Sequence, residues 1–364
     1  MDLSLTRRLS QTPFTSRIVE RGAQAFTVYN HMLLPTVFES LEADDAHLRS
    51  AVQVWDVSVE RQVEISGPDA TRLVQWMAPR DVSKVEAGRC VYLPLVDEYG
   101  KMINDPIGLK LADDRWWLSI ADSDVLLWAK GLAYGANMNV TIREPAVWPL
   151  AVQGPLAETL MTRVFGDRVP GIRFFRFEWL DYRGHAFLVA RSGWSKQGGF
   201  EIYVDDAALG VQLFDELFEQ GENLNVRPGC PNSIERIESG LLSYGNDMDI
   251  GDTPLEVGLE GFLTLDADID AMSLAVLREQ RDTGVQRQLK GLILETPEAT
   301  PFAAFGIDGS PLSEIRSQVF SPRLGKHLAF AMLEGDTRHA ETLSVLCESG
   351  TRVEVNVASL PFSF

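Results

Sequence analysis

The chain has 364 residues, of which 45% are hydrophobic, and that is enough for two or three domains with proper cores. Its 52 Asp and Glu against 33 Lys and Arg give a net charge of -19. A surface this acidic repels phosphate backbones and anionic lipid, which disfavours nucleic-acid binding by counterion release and attachment to a membrane surface. A small anionic ligand stays open, because a local Lys or Arg overrides the mean field. No apolar run reaches the length needed to span a bilayer, and the start "MDLSLTRRLSQTPF" has no apolar stretch behind its charges. A cytoplasmic protein is expected. The three cysteines, Cys90, Cys230 and Cys347, lie far apart and suggest neither a disulfide framework nor a zinc knuckle.

In chain order, the segment through Arg49 combines a proline-containing arm ("SQTPFTSR") with "AFTVYNHMLLPTVF", whose alternation predicts a strand ending at Pro35. "EADDAHLRSAVQVWD" reads as a short helix running into a strand. In "RQVEISGPDATRLVQWM" a strand meets the turn "SGPD", and a helix begins with Asp69 near its N-terminus. Cys90 to Ile120 reads as strands broken by the turns "DEYGK" and "ADDR". "SDVLLWAKGLAYG" is a helix, and "NVTIREPAVWPLAVQGP" returns as strands before a helix starting near Pro155. "FLVARSG" and "GFEIYV" are two strands with Trp194 and Lys196 on their connection. "ALGVQLFDELFEQGENL" is amphipathic, with Leu and Phe on one face, and "SIERIESGLLSYG" is a helix closed by glycine. After Leu289, short strands between Gly and Pro turns predict a separate β-barrel or jelly-roll-like domain. The whole is α+β with antiparallel sheets.

Common catalytic engines are missing by spacing. There is no G-x-S-x-G elbow, no phosphate-binding G-x-x-x-x-G-K-[ST] loop, no H-E-x-x-H and no G-x-G-x-x-G after a strand. The five histidines, at 31, 47, 185, 327 and 339, show no i, i+4 pairing, so no metal is expected. What remains is chemistry by positioning and electrostatics, with the reactive centre brought by a bound molecule.

Four stretches together resemble the aminomethyltransferase family, the folate-binding T-protein of glycine cleavage and its relatives. They are "YLPLVDEYGKMINDPIGLKL" (Tyr92 to Leu111), "LAVQGP" (Leu150 to Pro155), "RSGWSKQGGFEIYV" (Arg191 to Val204) and "RIESGLLSYGNDMDIGDTPLEVGL" (Arg236 to Leu259). Each is weak alone, but their order and spacing match along nearly the whole chain. The resemblance implies a three-domain cloverleaf around a central tetrahydrofolate site. Residues 1–50 with 145–275 would form the folate-binding domain, 51–144 a ferredoxin-like α+β domain and 285–364 a C-terminal β-barrel. It also implies a homodimer.

Carried over by position, the resemblance gives Asp105 the role of the catalytic carboxylate beside the reactive folate nitrogens. Its alternative is a turn-forming Asn-Asp-Pro. Glu201 matches the glutamate that accepts hydrogen bonds from the pterin, an edge that suits two carboxylate oxygens. Tyr92, Arg236 and Gln153 match positions lining the folate cavity, although Arg236 reads equally as a helix-surface charge. Phe174 and Phe175 match an aromatic wall near the pterin, and core packing accounts for them as well.

The opening stretch departs from the T-protein pattern R-T-G-Y-T-G-E-D-G-F-E-I. Trp194 stands for the tyrosine, Lys196 and Gln197 for Gly-Glu, and Gly198-Gly199 for Asp-Gly. The pterin-side glutamate is kept while the donor side is rebuilt. An indole face attracts an onium centre by roughly 0.5–2 kcal/mol, and a lysine pairs with a carboxylate at the other end. That set suits a small zwitterionic methyl donor, and the departures resemble those of family members that pass a methyl from a sulfonium to tetrahydrofolate. Trp194, Lys196, Tyr203 and Ser119 are the expected donor-side residues, with Phe14 or Tyr29 of the N-terminal arm closing the site. Rival expectations are the aminomethyl reaction itself, demethylation of a betaine or an aryl methyl ether, and a non-enzymatic folate-binding role in iron–sulfur maintenance. The last needs a reactive cysteine in a K-G-C-Y-x-G-Q-like context, which this chain does not have.

Overall fold

The structure is a computed structural model that describes residues 6, 8–295, 313–346, 350 and 352–363. Two compact units are present. The first comprises 1–73, 83–92 and 106–232, and the second 74–82, 93–105 and 233–364.

The first unit holds two large sheets and a two-stranded hairpin. In the larger, the order is Phe177–Tyr182, His185–Ala190, Gly199–Val204, Trp148–Gln153, Val52–Asp56 and Val226–Gly229. Every neighbour pair is antiparallel except the last, Val226–Gly229 against Val52–Asp56. The smaller sheet runs Thr141–Arg143, Gln62–Ser66, Arg115–Ser119, Ile107–Ala112, Arg89–Tyr92, all antiparallel. Period-2 alternation sorts the side chains of the larger sheet. Phe200, Ile202 and Val204 join the core beneath the Ala157–Phe165 and Ala207–Gln220 helices. The latter helix starts on the Asp206 carboxylate, which accepts from the Ala208 and Leu209 amides. It buries Leu213, Phe214, Leu217 and Phe218 on one face.

Two sequence expectations change here. "AFTVYNHMLLPTVF" is a hairpin, Ala25–Tyr29 against Met32–Val37, rather than one strand. Asn30 and His31 turn it with φ of 47° and 61°, the two successive left-handed residues of a tight hairpin. Phe14 does not close a site: it is fully buried against Phe214, with ring centroids 5.8 Å apart. The Val52–Asp56 strand pairs with Trp148–Gln153 and Val226–Gly229 in the larger sheet, and all five of its residues are buried. Residues 233–275 fall in the second unit.

The second unit contains the small Leu95–Val96/Met102–Asn104 ladder and the Ser233–Ser239 and Leu274–Thr283 helices. It also holds a five-stranded antiparallel sheet in the order Ser313–Ser321, Lys326–Glu334, Arg287–Leu294, Arg352–Ala358, Thr342–Leu346. Cys90 and Cys230 are buried thiols, and Cys347 lies outside the described residues. Among the described residues no helix is long and apolar enough to cross a membrane, and no group of His, Cys, Asp or Glu is placed to hold a metal ion.

Candidate functional site

Glu201 sits in the middle of the Gly199–Val204 strand, opposite Ala151 on one neighbour and Ala190 on the other. Two alanines beside a carboxylate leave it laterally uncrowded. Alternation turns Glu201 and Tyr203 away from the helix-covered face, toward the smaller sheet. There Tyr203 joins an apolar layer made with Leu188, Ala190 and Phe177 of its own sheet and Cys90, Leu109 and Trp117 of the other. The Trp117 and Tyr203 rings lie 6.2 Å apart.

The Glu201 carboxylate is buried, and both of its hydrogen bonds fall on one oxygen. Ser192 Oγ donates to Oε2, and so does the Tyr203 hydroxyl at 3.3 Å. Oε1 receives no hydrogen bond among the described residues. Burial pushes the Glu201 carboxyl above the usual carboxylate range, and the two hydroxyl donors work against that push. The Tyr203 phenol is raised well above its ordinary value by burial first and by the Glu201 charge second. Cys90, in the same layer, is also pushed up, by burial and then by Glu201. It is therefore held as a thiol and is no nucleophile.

On the smaller sheet, Ser119 Oγ accepts from Gln62 Nε2 at 2.9 Å and donates to Glu60 Oε2 at 3.4 Å. Tyr203 and Ser119 were expected to touch the methyl donor. The structure buries both, with the Tyr203 hydroxyl donating to Glu201 and the Ser119 hydroxyl to Glu60. Trp117 is anchored in turn by Glu64, which accepts from Trp117 Nε1 at 2.8 Å, Arg115 Nε at 3.0 Å and Arg143 Nε at 2.7 Å. Despite burial, these three donors together hold the Glu64 carboxyl below its usual range.

Tyr92 ends the Arg89–Tyr92 strand. It shares the face of Cys90 and lies across from Ile107, which pairs in turn with Ser119. Phe175 is half-buried against the same layer and Phe174 is exposed; their rings are 4.7 Å apart. Phe175 holds φ at 58°, a costly conformation for a bulky residue. Its amide donates to Arg191 O and its carbonyl accepts from Cys90 N, both at 3.0 Å, so the strained residue ties the two sheets together. Trp194 is half-buried and Lys196 exposed on the loop just after Arg191.

Gln153 was expected to bind folate. Its side chain is fully buried, and the 192–199 loop takes up both ends of its amide. Eight of the ten expected residues thus share the first unit: Tyr92, Ser119, Gln153, Phe175, Trp194, Lys196, Glu201 and Tyr203.

Asp105 and Arg236 belong to the second unit. Asp105 follows the Met102–Asn104 strand and is half-buried. Near it, the Tyr244 hydroxyl donates to Met102 O at 3.2 Å, and its phenol is pushed up to about 12, by burial first and by the charges of Asp249 and Asp105 after it. Arg236 is no helix-surface charge. Nη1 meets the fully buried Asp247 at 2.7 Å and Nη2 donates to Ser317 Oγ at 2.8 Å. This pair fastens the loop after the Ser233–Ser239 helix to the C-terminal sheet. Sequence reasoning missed Ser192 and Asp247, because both act from loops, where no periodicity marks a side chain's direction.

The comparisons agree with this architecture. The GCVT N-terminal domain model matches residues 14–267, and the glycine cleavage T-protein C-terminal barrel domain model matches residues 287–363. Dimethylsulfoniopropionate demethylase DmdA of Ruegeria pomeroyi is 50% identical over 334 residues, covering 90% of each chain. An aminomethyltransferase of Lysinibacillus sphaericus is 26% identical over 98% of this chain and 99% of its own. The crystal structure of glycine cleavage system aminomethyltransferase T from Bartonella henselae superposes with a TM-score of 0.86 over 98% of both chains, at 21% identity, which establishes the shared fold. This chain belongs to the glycine cleavage T-protein family.

Proposed function

We propose that the protein is a tetrahydrofolate-dependent methyltransferase that demethylates dimethylsulfoniopropionate. The observation that carries the folate half is the open Oε1 of a buried glutamate whose other oxygen is fixed by Ser192 and Tyr203. An open oxygen on a carboxylate whose other oxygen is already fixed fits a ligand that brings N–H groups, as the aminopyrimidine edge of a pterin does. The half-identity to a demethylase of this substrate over nine-tenths of the chain supports the donor. So does the rebuilt loop, with an indole at Trp194 and an ammonium at Lys196.

When bound, the folate supplies a nucleophilic N5 that takes one S-methyl group by direct displacement, leaving methylthiopropionate. The chain's own residues bind and orient. Glu201 fixes the pterin edge, and Tyr92 and Phe175 offer aromatic surface beside it. By its match to the family carboxylate, Asp105 is assigned the orienting of the reactive nitrogens and acceptance of the proton released after attack. Trp194 receives the sulfonium and Lys196 the carboxylate of the donor. Holding the two reactants in line is worth on the order of 7 kcal/mol or more of the barrier. No covalent enzyme intermediate is called for, in keeping with a Cys90 thiol held protonated. Arg236 contributes through the Asp247 pair, by keeping its loop in shape.

The test is product analysis with separate donors. The sulfonium should be consumed in the presence of tetrahydrofolate, while glycine betaine, an aryl methyl ether and an aminomethyl-loaded lipoyl carrier should not. Turnover of any of those three at a comparable rate, with the sulfonium inert, refutes the assignment.

A further inference from the structure

We propose that Gln153 is the positioning residue that sets the shape of the donor-binding loop, a role that rests on the donor assignment above. Gln153 ends the Trp148–Gln153 strand and pairs with Gly199, where the loop re-enters the sheet. Its side chain is fully buried. Nε2 donates to Ser192 O at 3.3 Å, where the loop leaves the sheet, and Oε1 accepts from Ser195 Oγ at 2.8 Å, at its middle. Beside it, the Gly154 amide donates to Gly198 O at 2.9 Å. The loop is therefore wrapped around one amide from start to finish.

The glycines of the loop record the same fact. A Cβ on Gly193 would stand 2.0 Å from Gln153 Nε2, and one on Gly199 would stand 2.5 Å from it and 2.4 Å from Val152 O. The space those side chains would fill is taken by the glutamine. Ser195 also accepts from the Gln197 amide at 3.3 Å, and it stands between Trp194 and Lys196. Fixing Ser195 from below fixes the chain on which both donor-side residues are mounted. An amide suits the task because it offers one donor and one acceptor side by side. A carboxylate would turn an acceptor toward the Ser192 carbonyl, and an aliphatic group would leave both that carbonyl and the Ser195 hydroxyl unmet.

The experiment compares Gln153→Leu, Ser195→Ala and the double variant with the wild type in the full chain. It reads donor KM and kcat, tetrahydrofolate affinity by anaerobic calorimetry, and hydrogen exchange of peptides covering 193–199. Gln153→Leu should raise donor KM at least about tenfold, leave tetrahydrofolate affinity within about twofold, and speed loop exchange. Ser195→Ala should act in the same direction but less, and the double variant should be no worse than Gln153→Leu, since the shared bond is already gone. Unchanged loop exchange overturns the proposal. So does a loss of tetrahydrofolate affinity equal to the rise in donor KM, or single effects that simply multiply. Should Gln153→Leu fail to fold, Ser195→Ala alone must still separate donor KM from tetrahydrofolate affinity, and failure to do so counts against the idea. A wild type inert toward the sulfonium refutes the functional reading, and loop exchange then decides the latch by itself.

Discussion

Replacing Glu201 by Gln separates ligand binding from folding. In the wild type, Ser192 and Tyr203 both donate to Oε2 and Oε1 is open. A glutamine can keep those two bonds only by placing its carbonyl at the Oε2 position, which puts an NH2 group where Oε1 was. The pterin's N–H donors then meet a donor. A hydrogen bond to a charged group contributes about 1.5–3 kcal/mol, so its loss alone predicts tetrahydrofolate binding weaker by about 10- to 150-fold. Stability should move the other way. Burial raises the Glu201 pKa in the folded chain, so the unfolded chain gives up this proton at lower pH than the folded one. Between those two pH values the wild type loses stability as pH rises, and above them the loss is complete. Glutamine has no such loss, so at neutral pH the variant should melt no lower than the wild type. Anaerobic titration calorimetry and thermal melts at several pH values read both quantities. Affinity within twofold of wild type, or a fall in Tm that accompanies the fall in affinity, would refute the reasoning.

Other outcomes follow from the same geometry. Asp105→Asn should lower kcat at least about tenfold with little change in tetrahydrofolate affinity, since it removes a proton acceptor and leaves the shape; stopped-flow single turnover reads this directly. Trp194→Ala should raise donor KM by about 2- to 30-fold, the range of an indole–onium contact, while Lys196→Ala should act more weakly and lose its effect at high salt. Glu64→Gln should cost about 2–3 kcal/mol at neutral pH through its three donors. Because the folded Glu64 pKa is depressed, that stabilisation is complete above the ordinary carboxylate value and disappears as pH falls through the folded one, so the denaturant curves of variant and wild type should converge in acid. Gly154→Ala should destabilise by about 1–3 kcal/mol or more: its φ is +117° and its Cβ would stand 2.5 Å from Ala51 O, with no flexible group to give way.

How far the sequence reveals the site depends on what kind of element carries each residue. "GFEIYV" alternates, so the side shared by Glu201 and Tyr203 follows from period 2, and a charged residue on a strand so apolar marks a buried acceptor. The same rule places the Tyr203 phenol beside the Glu201 carboxylate, to which it donates. The loop is less legible. Its glycines are visible in the text, but the reason for them is a glutamine 40 residues earlier that reaches Gly193 only through sheet pairing. Arg236 looks like a solvated helix charge because its partner Asp247 sits in an irregular segment. Asn30 and His31 look like interior residues of one strand because His rarely takes φ above zero; the Asn30 side chain, donating to Val59 O at 2.9 Å, holds the hairpin there. Phe175 carries no local mark of its positive φ, which the sheet-to-sheet hydrogen bonds impose.

The most direct test of the central claim follows the carbon itself. Dimethylsulfoniopropionate labelled with 13C on its S-methyl groups is incubated with enzyme and tetrahydrofolate without oxygen, and the products are read by NMR. The account predicts the label on N5 of the folate, in amounts equal to the methylthiopropionate formed. Methylthiopropionate without labelled folate, or labelled folate equally well from a methylated amine, would contradict it.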